Sequence, residues 1–177
     1  PETDLEGRTR NGEFGAYAYS ASLVFVGPND GEGDGSAEDP YPSLKAALEA
    51  GAKEIQVKEG VYDEDSLTIP ADVSLKPYRG ASVTVSGAVA FSGAALVSGI
   101  RFTGDVTAAN DAAFTGCFFE APLAITGENA SVSASFAEAG ILLKNARGAR
   151  IVNCLLTGAE TALTLTGSKN VSILNNT

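Results

Sequence analysis

The chain has 177 residues, enough for one domain with a sizeable core, and its 22 acidic and 12 basic residues give a net charge of −10. That balance argues against nucleic acid or an anionic membrane surface as a partner, and no run of about 20 apolar residues is present to span a bilayer. With no histidine the Ser-His-Asp and Cys-His catalysts and most zinc sites are excluded, and with no tryptophan the strongest stacking platform for a sugar ring is missing.

In chain order, residues 1–21 form an N-terminal extension without a charged-then-apolar leader, so a cytosolic, processed or excised chain is expected. "SLVFV" at 22–26 predicts a strand. A Gly-rich loop, "GPNDGEGDGSAEDPYP", follows it. In that loop Asp30, Glu32, Asp34, Ser36 and Glu38 alternate, a spacing that lets a curled loop aim oxygens at one calcium ion. Tyr41 stands where an EF-hand has its bidentate Glu, and a solvated acidic loop is the plainer expectation. No cofactor is required by this reading; Ca2+ at Asp30, Glu32 and Asp34 is the one metal it admits. "SLKAALEAG" predicts a helix with Ser43 as its cap, Leu44, Ala47 and Leu48 on one face and Gly51 as its stop. Residues 22–51 thus read as a capping unit and 52–177 as the body.

The body repeats. "VSGIRFTGD" at Val97, "FTGCFFEA" at Phe114, "VSASFAEA" at Val132, "IVNCLLTGAE" at Ile151 and "VSILNNT" at Val171 start 17, 18, 19 and 20 residues apart. A companion column runs through "VSLK" at Val73, "VAFS" at Val89, "VTAA" at Val106, "LAIT" at Leu123, "ILLK" at Ile141 and "LTLT" at Leu163, with Gly, Asn and Asp turns between the columns. A single unit cannot bury its apolar side, but units stacked about 4.8 Å apart can. The expected fold is all-β, a right-handed parallel β-helix with a short N-terminal capping α-helix; the unequal steps favour the right-handed solenoid over a strict hexapeptide one. A β-sandwich is the competing architecture, and it does not keep two columns in phase.

Alternation places Ile100, Cys117, Ser135, Cys154 and Leu174 in one inward ladder and Phe102, Phe119, Ala137, Leu156 and Asn176 in another. The two cysteines then lie two coils, about 9.6 Å, apart. A disulfide needs Cβ atoms about 3.8 Å apart, so two free buried thiols are expected. Asp105, Glu120, Glu138 and Glu160 fall near one turn as an acidic row that keeps the edge soluble; Arg101 points outward, and Lys144 and Arg150 flank a turn. No pair of carboxylates on a concave face suggests a glycosidase.

Residues 22–77 resemble the N-terminal segment of bacterial and archaeal pectin-lyase-like right-handed β-helix proteins, through Pro28-Asn29, Pro42 to Leu48, and Val57 with Gly60-Val61-Tyr62. The resemblance extends through residue 177 and implies a fold, while the same scaffold hosts lyases, glycosidases, adhesins and proteins with no chemistry. "DLEGRTRNGEFGAYAY" resembles the closing segment of secreted β-helix domains, through Asp4, Gly7, Gly15-Ala16-Tyr17 and Tyr19. Three explanations stand: the tail of a preceding domain in a tandem array, a segment completing a neighbouring subunit, or a local strand.

The expectation for function is an extracellular or cell-surface structural or adhesive module. It would belong to a longer surface protein or stack end to end with copies of itself or adjacent β-helix domains. Phe14, Tyr17, Tyr19, Leu174 and Asn176 are the assembly residues. The alternative is a polysaccharide-binding or polysaccharide-degrading domain.

Overall fold

The computed structural model describes residues 23–158 and 161–177. Two sheets of parallel strands wind around one apolar interior. The first sheet has eight strands in the order β1 (Leu23–Val26), β2 (Glu54–Val57), β4 (Val73–Pro77), β6 (Ala95–Ser98), β9 (Ala112–Thr115), β12 (Ser131–Ser133), β15 (Arg150–Val152) and β18 (Ser172–Leu174). The second begins as two long strands, β3 (Gly60–Ile69) and β5 (Val83–Phe91). It then divides into β7 (Arg101–Phe102), β10 (Phe118–Phe119), β13 (Phe136–Ala137) and β16 (Leu155–Leu156) on one side. On the other side run β8 (Val106–Ala108), β11 (Leu123–Ile125), β14 (Ile141–Lys144) and β17 (Leu163–Thr166). The chain is therefore a parallel β-solenoid.

The division has a local cause. Strand β5 pairs with β7 through Thr84 and Val85 and with β8 through Val89 to Phe91, and Gly87 lies between, at φ 86°. A Cβ on Gly104, in the turn one coil on, would sit 2.1 Å from the Gly87 carbonyl oxygen, so the bend closes only over glycine. A second device marks the corner after each of the last five first-sheet strands, β6, β9, β12, β15 and β18. Gly99, Gly116, Ala134, Asn153 and Asn175 all hold positive φ there, between 47° and 64°. Glycine and asparagine enter that region readily; Ala134 does so against its Cβ.

Period-2 alternation fills the interior. Val97, Phe114, Val132 and Ile151 form one buried ladder, and Ile100, Cys117, Ser135 and Cys154 another. The centre is aromatic: Phe91 meets Phe114 edge-on at 5.0 Å, Phe102 stacks on Phe119 at 5.6 Å, and all four rings are fully buried. Both cysteines are free and buried, as expected. Burial pushes the Cys117 thiol up to about 11, so it stays protonated and inert.

Helix α1 (Leu44–Glu49) forms where the sequence places it. The Ser43 hydroxyl accepts from the Ala46 N–H at 3.1 Å, Leu44 and Ala47 are buried, and Gly51 ends the helix at φ 82°.

Two register expectations are corrected. Val73 belongs to the first sheet, since β4 pairs with β2 and β6; the partner of Val89 in the companion column is Leu67. In the last coil Ile151 pairs with Ile173, a step of 22 residues, not with Val171. Leu174 therefore pairs with Val152 and faces solvent. Asn176 leaves the Phe102 ladder and takes the place after Cys154 in the other.

Candidate functional site

The solenoid has two ends that differ in chemistry. At the head, β1 has no strand before it among the described residues. Its edge is nevertheless occupied. The Phe25 N–H donates to the Gly35 carbonyl at 2.8 Å, the Tyr41 N–H to the Phe25 carbonyl at 2.9 Å, and the Gly27 N–H to the Tyr41 carbonyl at 3.0 Å. The acidic loop thus folds back along β1 and satisfies the row of backbone groups that an edge strand would leave open.

Asn29 holds that loop. Its Nδ2 donates to Asp39 Oδ1 at 2.8 Å and to the Pro40 carbonyl at 2.7 Å, and its Oδ1 accepts from the Gly31 N–H at 2.9 Å. Asp34 Oδ1 accepts from the Ser36 N–H at 2.8 Å; the Ser36 hydroxyl, then that N–H, hold the Asp34 carboxyl below the usual range. Asp30, Glu32 and Asp34 all point to solvent. Among the described residues no three His, Cys, Asp or Glu side chains converge on a point that could hold a metal.

Behind the loop lies a cleft of about 310 Å³ lined by Asn29, Asp30, Ser43, Tyr62, Asp63 and Glu64. Glu64 is 6% exposed and its Oε1 accepts from the Leu44 N–H at 2.6 Å and the Lys45 N–H at 3.4 Å. The carboxyl thus ties the first turn of α1 to β3, beside the bulge between Asp63 and Ser66. Burial raises its pKa; the two backbone donors pull against that. Tyr62 donates to the Lys58 carbonyl at 2.8 Å, and burial pushes its hydroxyl up to about 12. These bonds secure the cap. Sequence reasoning missed Glu64; the signal was an acid at an inward position two residues from Tyr62.

Toward residue 177 the inward ladders become exposed among the described residues. Ile151 and Leu143 are 0% and 1% exposed, while their partners one coil on, Ile173 and Leu165, are 41% and 47% exposed. Asn176 does the work that Ser135 does two coils earlier. Its Oδ1 accepts from the Cys154 N–H at 2.8 Å, as Ser135 Oγ accepts from the Cys117 N–H at 3.0 Å, and its Nδ2 donates to the Ile151 carbonyl at 2.9 Å. Asn176 is thus a working member of the stack, and Ile173 and Leu165 form the apolar surface that had been expected at Leu174. Phe14, Tyr17 and Tyr19 lie outside the described residues.

The acidic row divides. Glu120 and Glu138 occupy equivalent positions just past β10 and β13, their N–H groups bonding to Phe102 and Phe119, whereas Asp105 sits at the far side of the turn, before β8. Glu160 lies outside the described residues. Arg101 points outward as expected, packs over the Phe118 ring at 4.2 Å and bonds to Glu120. Near the tail, the corner entering the first sheet carries Lys144, Arg147, Arg150 and Lys169, all exposed; Arg147 pairs with Lys169 in register and reaches Glu128 at 3.9 Å.

Among the described residues no helix is long and apolar enough to cross a membrane. Comparison with family models, curated proteins and solved structures finds no match, so the finding that stands is the β-solenoid architecture of the chain itself.

Proposed function

We propose that this chain is a structural module of an extracellular or surface rod, and that its tail is the face on which the next module docks. The observation that carries this reading is the change along each inward ladder: positions fully buried at Ile151 and Leu143 become nearly half exposed at Ile173 and Leu165. Covering those two residues and the outer edges of β17 and β18, which have no further strand beside them among the described residues, removes apolar surface from water and pairs backbone groups at once. The occupant is another module of the same protein or of a second copy.

The segment before Leu23 is a candidate contributor, acting on a neighbour.

Light scattering across a concentration series, with electron microscopy of the same samples, tests the reading. Rods that lengthen with concentration and that Ile173→Lys or Leu165→Lys abolishes support it. A compact monomer at every concentration sinks it.

A further inference from the structure

The corner that leads into the first sheet repeats from coil to coil. Asp111, Asn129, Gly148 and Asn170 each stand two residues before the paired positions Ala113, Ser131, Arg150 and Ser172. All four hold positive φ, between 54° and 68°, a conformation that favours Asn, Asp and Gly. Asn129 and Asn170 are both exposed. Asn129 has a coil on either side of it, through Asp111 and Gly148, and is exposed all the same, so the exposure belongs to the corner.

Both asparagines open an Asn-x-Ser triplet: Asn129-Ala130-Ser131 and Asn170-Val171-Ser172. Without Pro in the middle, this is the acceptor sequence for an N-linked sugar. Register puts the two amides on one edge, two coils or about 9.6 Å apart. Asn110, Asn145 and Asn153 are also exposed, but two residues after them stand Ala112, Arg147 and Leu155, which offer no hydroxyl.

The corner is compatible with a sugar on the amide. Asn129 Nδ2 donates to Asp111 Oδ1 at 3.2 Å, and Asn129 Oδ1 lies over Gly148, where a Cβ would come within 2.6 Å of it. The amide has two N–H donors. A glycosylated amide keeps one of them, so the bond to Asp111 survives. Ser131 is paired with Ala113 and Arg150, and Ala130 is fully buried, so the triplet is locked once its coil has formed. The sugar is therefore added before the coil closes, and it projects from the corner afterwards.

We propose that Asn129 and Asn170 are N-glycosylation sites that accept an oligosaccharide from a lipid-linked sugar phosphate. The step is a substitution. Nδ2 bonds to the anomeric carbon, the bond from that carbon to the phosphate oxygen breaks with its electron pair leaving on the phosphate, and the proton lost from Nδ2 passes to solvent. Sugars at both positions give the solenoid one hydrated edge. This rests on the extracellular or surface location proposed above, and not on a docking face.

Mass spectrometry of the chain purified from the cells that make it tests the assignment. Fragment spectra place sugar mass on Asn129 and Asn170 and none on Asn110, Asn145 or Asn153. Ser131→Ala abolishes the sugar at Asn129 and leaves it at Asn170, whereas Ser131→Thr, which keeps the hydroxyl, retains both. Should Ser131→Ala not fold, Ser172→Ala makes the same measurement at Asn170. Sugar that persists at Asn129 in Ser131→Ala overturns the assignment. Bare asparagines on chain recovered from outside the cell overturn it too, while leaving the rod reading standing. Bare chain found only in the cytoplasm overturns both.

Discussion

The two ends of this solenoid solve one problem differently. At the head, α1, Glu64 and the folded-back loop close the first coil within the chain. At the tail, the last coil presents the same kind of ladder with nothing over it among the described residues. Stacking makes the interior self-sufficient, because each coil buries its neighbours, but every stack has two terminal coils that it cannot itself cover. The sequence spends about thirty residues closing one of them, residues 23–51.

If closure is local to the ends, the largest stability effect comes from the middle. Phe114→Ala removes a fully buried ring that meets Phe91 and Phe119 and is expected to cost about 3–5 kcal/mol, read from urea unfolding. Ile173→Ala on the monomer is expected to cost less than ~1 kcal/mol, because its side chain is already half in water. Equal losses would break the comparison.

The head cap comes next. Glu64→Ala orphans the Leu44 and Lys45 N–H groups and is expected to cost about 1–2 kcal/mol, while Glu64→Gln, which keeps an acceptor, costs less. The pH dependence separates charge from hydrogen bonding. Burial raises the folded pKa of Glu64 above the unfolded value of 4.5, so the folded state holds the proton more tightly. The stability contributed by the protonated carboxyl is full below pH 4.5 and is lost as pH rises through the folded pKa. Stability measured across that window falls more steeply in the wild type than in Glu64→Gln; parallel curves would remove Glu64 from the account.

A smaller effect, of opposite sign, lies at the corner between the ends. Ala134→Gly relieves a left-handed alanine at φ 47° and is expected to raise stability by about 0.5–1 kcal/mol, seen as a higher urea midpoint. The smallest belongs to the tail: Lys169→Glu is expected to move monomer stability by no more than ~0.5 kcal/mol in the same urea measurement, because its side chain is exposed. A large loss of fold would show that the basic corner is structural.

Much of this was legible beforehand. Repeats 17 to 19 residues apart placed Val97, Phe114, Val132 and Ile151 in one ladder, and that ladder placed Cys117 and Cys154 too far apart to bond. The helix was legible because Ser43 and Gly51 are local signals. The last register was not, because Val171-Ser172 copies the start of the earlier repeats while the hydrogen bonds choose Ile173. Nor was Val73, whose alternation fits either sheet equally well. The role of the acidic loop was hidden because its contacts to β1 are made by backbone atoms, which leave no mark in the side-chain pattern.

The sequence by itself determined the repeat, the inward ladders and the glycine and asparagine corners, since all three follow from short-range periodicity and local backbone preference. Only the tertiary structure decided which strand lies beside which, that the acidic loop folds back along the edge of β1, and that Glu64 ties the helix to β3. Those are properties of the stack, and they exist only once each coil has chosen the coil it rests on.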